Sequence, residues 1–415
     1  MLDLNVTAAL ETTTGFTLDT DQLDTGVLGY LETSIAAKVR SASWGRGRNS
    51  FFDNFSAGSA TVVFDNRDRL LDPVNTSSPL YGELYPGRGF TLFLSQGFST
   101  ATVFSGFVDS WTYDYTLDGD ATVTVNVIDA FSYLGSKIIG SISAPAELSG
   151  ARVRRVLASI GWPVSSQAVD NGYSTLAAET ITDVSALSYL TKVAESEFGQ
   201  FYMDRLGTLT FKSRNAVSVF SDIRVTNVVG DVNSTASDVT FDYSFDRMFN
   251  SVTLTNSDVP ATATASNTTS ITKYGQRPAE YDVLISSATQ MQSVANGIVT
   301  LYGEPAFIPR QVTYNLENFD LFVPSDVIIQ DRTKPVLNFR TIDIGYLTAA
   351  YWLPPGTVGT TDPINISALL ISGVRYDATP GLFTATIQLD YALGYDSFIL
   401  DDPVQGRLDS GILGV

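Results

Sequence analysis

WGRGRNSFFDNFSAGSATVVFDNRDRLLDPVNTSSPLYGELYPGRG, residues 44–89, is the stretch from which the fold can be read. It opens on the tract Gly45-Arg46-Gly47-Arg48 and the aromatic cluster Phe51, Phe52 and Phe55. Gly58 leads into the alternating run Ala60–Phe64, which predicts a strand. The strand stops at Asp65-Asn66-Arg67-Asp68, and a Pro/Gly/Ser/Asn-rich loop runs on to Pro86-Gly87-Arg88-Gly89. Loops of this length with their own turn residues carry function more often than they fill space. Pattern alone therefore supports a β-domain with one large surface loop.

Working outward, the same antiparallel pattern continues. Short alternating strands are expected at Phe90–Leu94, Thr102–Tyr115 and Ala121–Asp129. The last two are joined through Leu117-Asp118-Gly119-Asp120, a strong hairpin signal. Val123, Val125 and Val127 face one side of the last strand, and Thr122, Thr124 and Asn126 the other. Residues 1–43, rich in Thr and Asp, read as an extended arm feeding this sheet.

The wording of the central stretch resembles the N-terminal domain of tail hub (minor tail) proteins of long-tailed bacteriophages, especially siphophages. There a Gly-Arg element precedes an aromatic residue and an Ala-Gly-x-Ala-Thr-Val strand, then an Asn-x-Asp-x-x-x-Asp-Pro turn, a Ser-Pro-Tyr-like loop and Pro-Gly-Arg. The counterparts here are Gly45–Arg48, Phe55, Ala57–Val62, Asn66–Asp68 through Asp72-Pro73, Ser78-Pro79-Leu80-Tyr81 and Pro86–Arg88. Leu80 and Gly47 are insertions relative to that pattern. Leu23–Leu31 is similar to the family's approach to the Gly-Arg element.

At Ala146 the pattern changes. Ser149 is placed to cap a helix whose Val153, Val156, Leu157 and Ile160 share a face, ended by Gly161-Trp162-Pro163. A second helix is expected from Asp183, with Leu187, Leu190, Ala194 and Phe198 in register. Phe201–Met203 and Thr208–Phe211 then flank Asp204-Arg205-Leu206-Gly207 as a hairpin. Periodicity yields a small α+β module, which resembles the second domain of tail hub and late-control proteins. Strands return at Val239–Tyr243 and Ser251–Asn256, with a loop around Ser266–Thr272. One helix follows, capped by Ser286 or Ser287 with Met291, Val294, Ala295, Ile298 and Leu301 inward; further strands lie near Gln311–Leu316, Asp326–Gln330, Ile371–Tyr376 and Phe383–Asp390. The order Ser270-Ile271…Tyr274-Gly275, helix, Tyr302-Gly303…Pro305 also looks like the third hub domain.

Composition narrows the chemistry. The 415 residues contain no histidine and no cysteine. Ser-His and Cys-His nucleophile pairs, disulfides and thiolate or imidazole metal sites are thereby excluded. Acid–base work would fall to carboxylates, and a metal would be a hard cation such as calcium. Net charge is −19, which opposes tight binding of phosphate backbones. The charge is uneven: residues 1–145 carry net −8, 146–230 carry zero and 231–415 carry −11. No apolar run reaches bilayer length and residues 1–15 lack a signal-peptide pattern, so a cytoplasmic origin without membrane contact is expected.

Few constellations stand out. Gly45–Arg48 is a structural turn before it is a phosphate or RNA contact. Asp65, Asn66, Asp68 and Asp72 supply oxygens for calcium, but such turns usually serve their own backbone. Glu195 and Glu197 diverge on a helix and read as a solvated face. Asn54 and Asn267 begin Asn-x-Ser/Thr triplets that a Ser/Thr-rich chain produces by chance. Tyr351-Trp352 could stack on a sugar or anchor its own loop. No catalytic pair, metal site or cofactor site can be named.

The expected fold is mainly β with an α+β insert. The domains expected are 1–145 (β, with arm and loop), 146–230 (α+β), 231–400 (β, with one helix) and a tail at 401–415. The resemblance implies that both β-domains are tail-tube-like antiparallel barrels. It further implies a non-enzymatic homotrimeric hub at the virion's tail tip, assembled in the host cytoplasm, that joins the tail tube to the distal tip. Its partners would be its own copies, a distal-tail or tail-tube ring, the C-terminus of the tape-measure protein and receptor-binding proteins, with DNA only in transit. Trp44, Arg46, Arg48, Asp68, Asp72, Pro79, Tyr81 and Arg88 are the candidate interface residues. The alternatives are a carbohydrate-binding tail protein, for which the aromatics speak, and a carboxylate-based glycoside hydrolase.

Overall fold

The structure is a computed structural model; it describes residues 4–12, 31–35, 38–49, 53–96, 99–214, 216, 221, 225–226, 236–316, 342–354 and 364–391. Phe51, Phe52, residues 23–30 of the arm, the expected strand Asp326–Gln330, residues 355–361 and the tail after Asp401 lie outside the described residues.

In chain order the first segment supplies β1 (Leu4–Thr12), β2 (Leu31–Ser34), β3 (Val39–Gly47), β4 (Ser56–Asp65), β5 (Gly89–Gln96), β6 (Ser99–Tyr115) and β7 (Ala121–Ile128). Next come α1 (Phe131–Ser136), β8 (Ile138–Ala144), β9 (Glu147–Leu148), α2 (Ser149–Ser159), β10 (Gln167–Val169), β11 (Thr175–Leu176), β12 (Glu179–Ser185), α3 (Ala186–Glu197), β13 (Gln200–Met203) and β14 (Leu209–Lys212). The last part contains β15 (Val225–Thr226), β16 (Asp238–Asp242), β17 (Ser251–Asn256), β18 (Ala261–Ser266), α4 (Thr268–Tyr274), β19 (Pro278–Asp282) and α5 (Ala288–Tyr302). It ends with β20 (Ile308–Asn315), β21 (Leu347–Trp352), β22 (Ile364–Thr379) and β23 (Leu382–Tyr391).

One 13-stranded sheet organises the chain, in the order β16-β20-β23-β22-β3-β4-β7-β6-β5-β1-β2, with β21 on β22 and β15 on β21. Two separate barrels were expected; among the described residues the strands of both β-segments instead share this sheet, and no pairing closes it. The join is β22 against β3, antiparallel, with Gly373 opposite Gly47, Arg375 opposite Gly45 and Tyr376 opposite Trp44. Both strands alternate in phase, so their core-facing and outward side chains stay on common faces across the join. Trp44 stacks on Tyr376 at 5.0 Å. Gly47 has φ +110°, and a Cβ there would lie 2.4 Å from the Gly373 Cα, so this inserted glycine is what permits the approach.

On the core side, Ala60, Val62 and Phe64 pack with Val123, Val125, Val127, Tyr376, Ile387 and Tyr314. A second core lies between α2 and α3, where Val153, Val156, Leu157 and Leu190 meet Phe131, Leu134, Ile139 and Phe211. The faces of Val156 and Leu190 thus close the module's own interior, and α1 and β8, upstream of residue 146, contribute to it. A third core forms where α5 covers β17 and β18, around Leu254, Met291, Ala295 and Ile298.

Three local expectations change. Ser149 is the first residue of α2 rather than its cap, and its Oγ donates to Glu197 Oε2 at 2.8 Å. The second helix starts at Ala186, because Asp183 still lies within β12, whose Thr182, Val184 and Ser185 pair antiparallel with β8. The stretch read as a loop at 266–272 contains α4, capped by Asn267, whose side chain accepts from Ser270 N at 3.0 Å. Its Thr-rich sequence carries little apolar periodicity, so the cap was the only signal.

Candidate functional site

The loop between β4 and β5 is a chain of turns closed by its own side chains. Asn66 Oδ1 accepts from Leu71 N at 2.9 Å, Asp68 Oδ1 from Leu70 N at 3.2 Å, and Asp72 Oδ1 from Val74 N at 3.0 Å. Ser78 Oγ donates to Leu70 O at 2.6 Å. These carboxylates also pair with separate bases: Asp65 with Arg67 and Arg40, Asp68 with Lys38, Asp72 with Arg69. The four oxygen-bearing residues suggested for calcium therefore serve turns and ion pairs, and among the described residues no three acidic groups converge as a metal cage. The Arg67 and Arg40 contacts hold the Asp65 carboxyl well below the usual range. Leu71, Leu80 and Leu84 pin the loop to the main core, leaving Val74, Tyr81 and Tyr85 outward.

Of the eight candidate interface residues, four are spent inside the chain. Trp44 and Asp72 are buried, and Arg88 is buried against Glu83 with its guanidinium over Tyr85. Arg46 is buried as well, and its Nη1 donates to Asp343 Oδ1 at 2.6 Å. Arg48 stacks over Phe55 at 4.2 Å and donates to Asp53 O at 3.2 Å; burial pushes its guanidinium down to about 10. Asp68, Pro79 and Tyr81 are exposed.

Arg46 anchors a junction that sequence reading missed. Asp343, just before β21, also accepts from Arg205 N at 3.0 Å and Ile344 N at 2.8 Å. Tyr202 donates to Ile344 O at 2.8 Å, and the Arg205 guanidinium reaches Thr102 O at 2.7 Å. Strand β3, the β13–β14 turn and the approach to β21 are thus tied at one buried ion pair. Burial works against the Arg46 charge, but Asp343 outweighs it and the net shift is upward. Nearby, Asp129 accepts from Gly58 N at 2.6 Å and Phe131 N at 3.0 Å; burial nevertheless raises its carboxyl to about 6. The Arg205 turn was legible as a turn, but nothing local marks Asp343 as its partner.

Glu197 is not part of a solvated face. It is wholly buried, accepting from Ser149 Oγ, Tyr173 N and Ser174 N and pairing with Arg214. Glu197 stands seven residues after Leu190, on the helix face that the apolar phase already turned inward, so its spacing to Leu190 was the signal and its spacing to Glu195 misled.

The outward face of the large sheet is mostly polar, with Val63, Phe107 and Ile128 as apolar members. Register places Ser110, Thr112, Thr122, Thr124, Asn126, Ser59, Thr61 and Ser43 on it. Across the join it continues through Arg375 and Asp377, then Thr384, Thr386, Gln388, Gln311 and Thr313. Thr61 Oγ1 donates to Asn126 Oδ1 at 3.0 Å, Asn126 Nδ2 to Ser110 Oγ at 3.1 Å, and Gln388 Nε2 to Gln311 Oε1 at 3.1 Å. Over Gly45, Gly47 and Gly373 the face dips into a depression of about 780 Å³. This is a hydroxyl- and amide-rich wall shared by both β-segments, with its few charges mostly paired.

No family model and no curated protein matches the chain. Solved structures do. The crystal structure of the 43 kDa tail protein of prophage MuSo2 from Shewanella oneidensis is similar with a TM-score of 0.55 at 13% identity, over 94% of this chain and 97% of that one. The tail protein from Neisseria meningitidis MC58 is similar with a TM-score of 0.56 at 12% identity, over 93% and 96%. The chain therefore has the fold of these tail proteins along nearly its whole length. Among the described residues no helix is long and apolar enough to cross a membrane.

Proposed function

We propose that the chain is a structural, non-enzymatic subunit of a phage-type tail: a hub at the tail tip of a siphophage-type virion, assembled in the host cytoplasm. Three copies form a ring that joins the tail tube to the distal tip, closes the channel and lets DNA through when the tip engages a host. One observation carries the reading: the likeness to two tail proteins spans both β-segments and the module between them, not one domain. The open sheet adds support, since β16 and β2 end it without a further strand among the described residues, and an uncovered edge calls for a neighbouring chain. The expected barrels would then be completed between copies. We retain the division at 145/146, 230/231 and 400/401 as part of this proposal.

In the ring, the Ser/Thr/Asn/Gln face lines the channel and the module of α2 and α3 lies outside it. Phosphate backbones slide past a wall that offers hydroxyls and, among the described residues, no unpaired lysines. Register puts Asp65, Asp114, Asp238 and Asp377 on this face, with Arg375 and Arg40 among their pairing partners. Repulsion from such a wall acts over about 8 Å at physiological salt. Contacts to the tube ring, the tape-measure C-terminus and tip proteins would use exposed residues of the loop, Asp68, Pro79 and Tyr81, and separately the Gly45–Arg48 tract.

The test is imaging of the native particle with a tag on this chain. Three copies in a closed ring, with the Ser/Thr face inward, is the expected result. A count of one or six refutes the trimer, and an inner wall that is neutral or basic refutes the sliding argument.

A further inference from the structure

Strand β6 is longer than either of its neighbours. Its first half, Ser99–Phe107, pairs with β5, and Phe107–Tyr115 pairs with β7 on the other side. Gly87 and Arg88 extend the β5 side by one step, to Val108. Past Val108, no described residue hydrogen-bonds the side of β6 that faces away from β7. Residues 109–115, DSWTYDY, are therefore a bare strand edge partway along the sheet, separate from the terminal edges of β16 and β2. An edge of this length can template a further strand.

The two faces of this edge differ in chemistry. Alternation puts Ser110, Thr112 and Asp114 on the outward face and Trp111 and Tyr113 against the main core. Trp111 Nε1 and Tyr113 Oη are buried and have no hydrogen-bond partner among the described residues. Side chains of an added strand would stand about 5 Å from theirs, Cβ to Cβ, and a hydroxyl there would relieve the unmet bonding. Tyr115, 60% exposed, carries the aromatic row on into solvent.

Charge selects the occupant. Asp109, Asp114 and Asp118, along the edge and at the hairpin tip it leads to, are exposed, and none is in an ion pair among the described residues. The neighbouring bases are already engaged: Arg40 with Asp65 and Asp120, Arg69 with Asp72, Arg88 with Glu83. Opposite charges across a strand pair attract and like charges repel. A second copy brings net −19, and the chain's own residues 13–30 bring Asp19, Asp21 and Asp24 with no base, so both are poor occupants.

We propose that residues 109–115 are the docking edge for an extended, basic segment of a different protein. The segment adds a strand to β6, with lysines or arginines beside Asp114 on the outward face and alternate hydroxyl or apolar side chains beside Trp111 and Tyr113. The assignment rests on the edge and its charge and not on the ring, so either can fail alone.

The test titrates full-length protein with the fluorescein-labelled peptide Lys-Thr-Lys-Val-Lys-Thr-Lys at about 0.15 M salt. The same peptide with Glu for Lys, and the same peptide with every backbone nitrogen methylated, are the comparisons. Saturable binding of the first peptide alone is expected by anisotropy, with amide exchange slowed at residues 109–115. Asp109→Asn with Asp114→Asn should weaken binding about tenfold or more, and Asp238→Asn on β16 should leave it unchanged. No saturable binding overturns the proposal, as does equal binding of the Glu peptide. Equal binding of the methylated peptide refutes strand addition, and slowed exchange at β16 or β2 instead of 109–115 refutes the site. If the unliganded protein self-associates in sedimentation and the Asp109/Asp114 variant does not, the edge belongs to a second copy and the proposal falls.

Discussion

Replacing Arg46 by methionine removes the cation from the junction of three segments. Asp343 keeps two backbone donors, Arg205 N and Ile344 N, but loses the guanidinium 2.6 Å away. Arg46 and Asp343 side chains are 3% and 9% exposed, so water cannot replace the lost partner. Breaking such a pair from one side costs about 3–5 kcal/mol, whereas replacing both members by apolar groups is often neutral. Arg46→Met should therefore destabilise the junction by about that amount, and Arg46→Met with Asp343→Asn, which removes the charge but keeps an acceptor for those two N–H groups, by less. A chain of this size need not unfold in one step, so a single melting temperature is the wrong readout. Hydrogen exchange at β13 and β14 is local: at about 1.4 kcal/mol per factor of ten, opening should become roughly 100- to 5,000-fold more frequent in the single variant. Unchanged exchange in Arg46→Met would refute the claim that this pair ties the module to the sheet. So would a double variant as labile as the single one.

Leu190→Asp places an unpaired charge at a position with no solvent exposure, and should cost several kcal/mol and unfold the α2–α3 module, seen as new protease sensitivity within residues 149–212 while the main sheet resists. Gly47→Ala forces a side chain onto a φ of +110° and against Gly373, and should cost on the order of 2 kcal/mol from backbone strain alone, with the clash added; denaturant unfolding measures it. Asp129 makes a pH-dependent contribution of a definite sign. Its folded-state value of about 6 lies above the unfolded one, so the stabilisation from its protonated form is full below about pH 4 and is lost as pH rises through 6. Its carboxyl carbon should titrate near pH 6 by NMR, and a midpoint near pH 4 would contradict this assignment.

Local chemistry was legible in the sequence wherever it depends on neighbours along the chain. The β4 strand, the β6–β7 hairpin with its Val/Thr alternation, the Ser287-capped α5 and the β13–β14 hairpin follow from period, turn residues and caps. The loop at 66–89 was legible as a loop because its Asp, Asn and Ser side chains bond backbone only a few residues away. What pairs across long separations was not. Nothing in Gly45-Arg46-Gly47-Arg48 states that its strand will lie beside residues 373–378, since any strand of matching alternation could take that edge. Only the assembled sheet turned two expected barrels into one continuous surface with a common polar face. The same holds for charge: Arg46 read as part of a turn at an interface and Glu197, from its spacing to Glu195, as a solvated face, but their partners Asp343 and Ser174 stand 297 and 23 residues away. A side chain's burial is decided by what the fold brings to it from elsewhere, and this information resides in tertiary packing rather than in any local stretch.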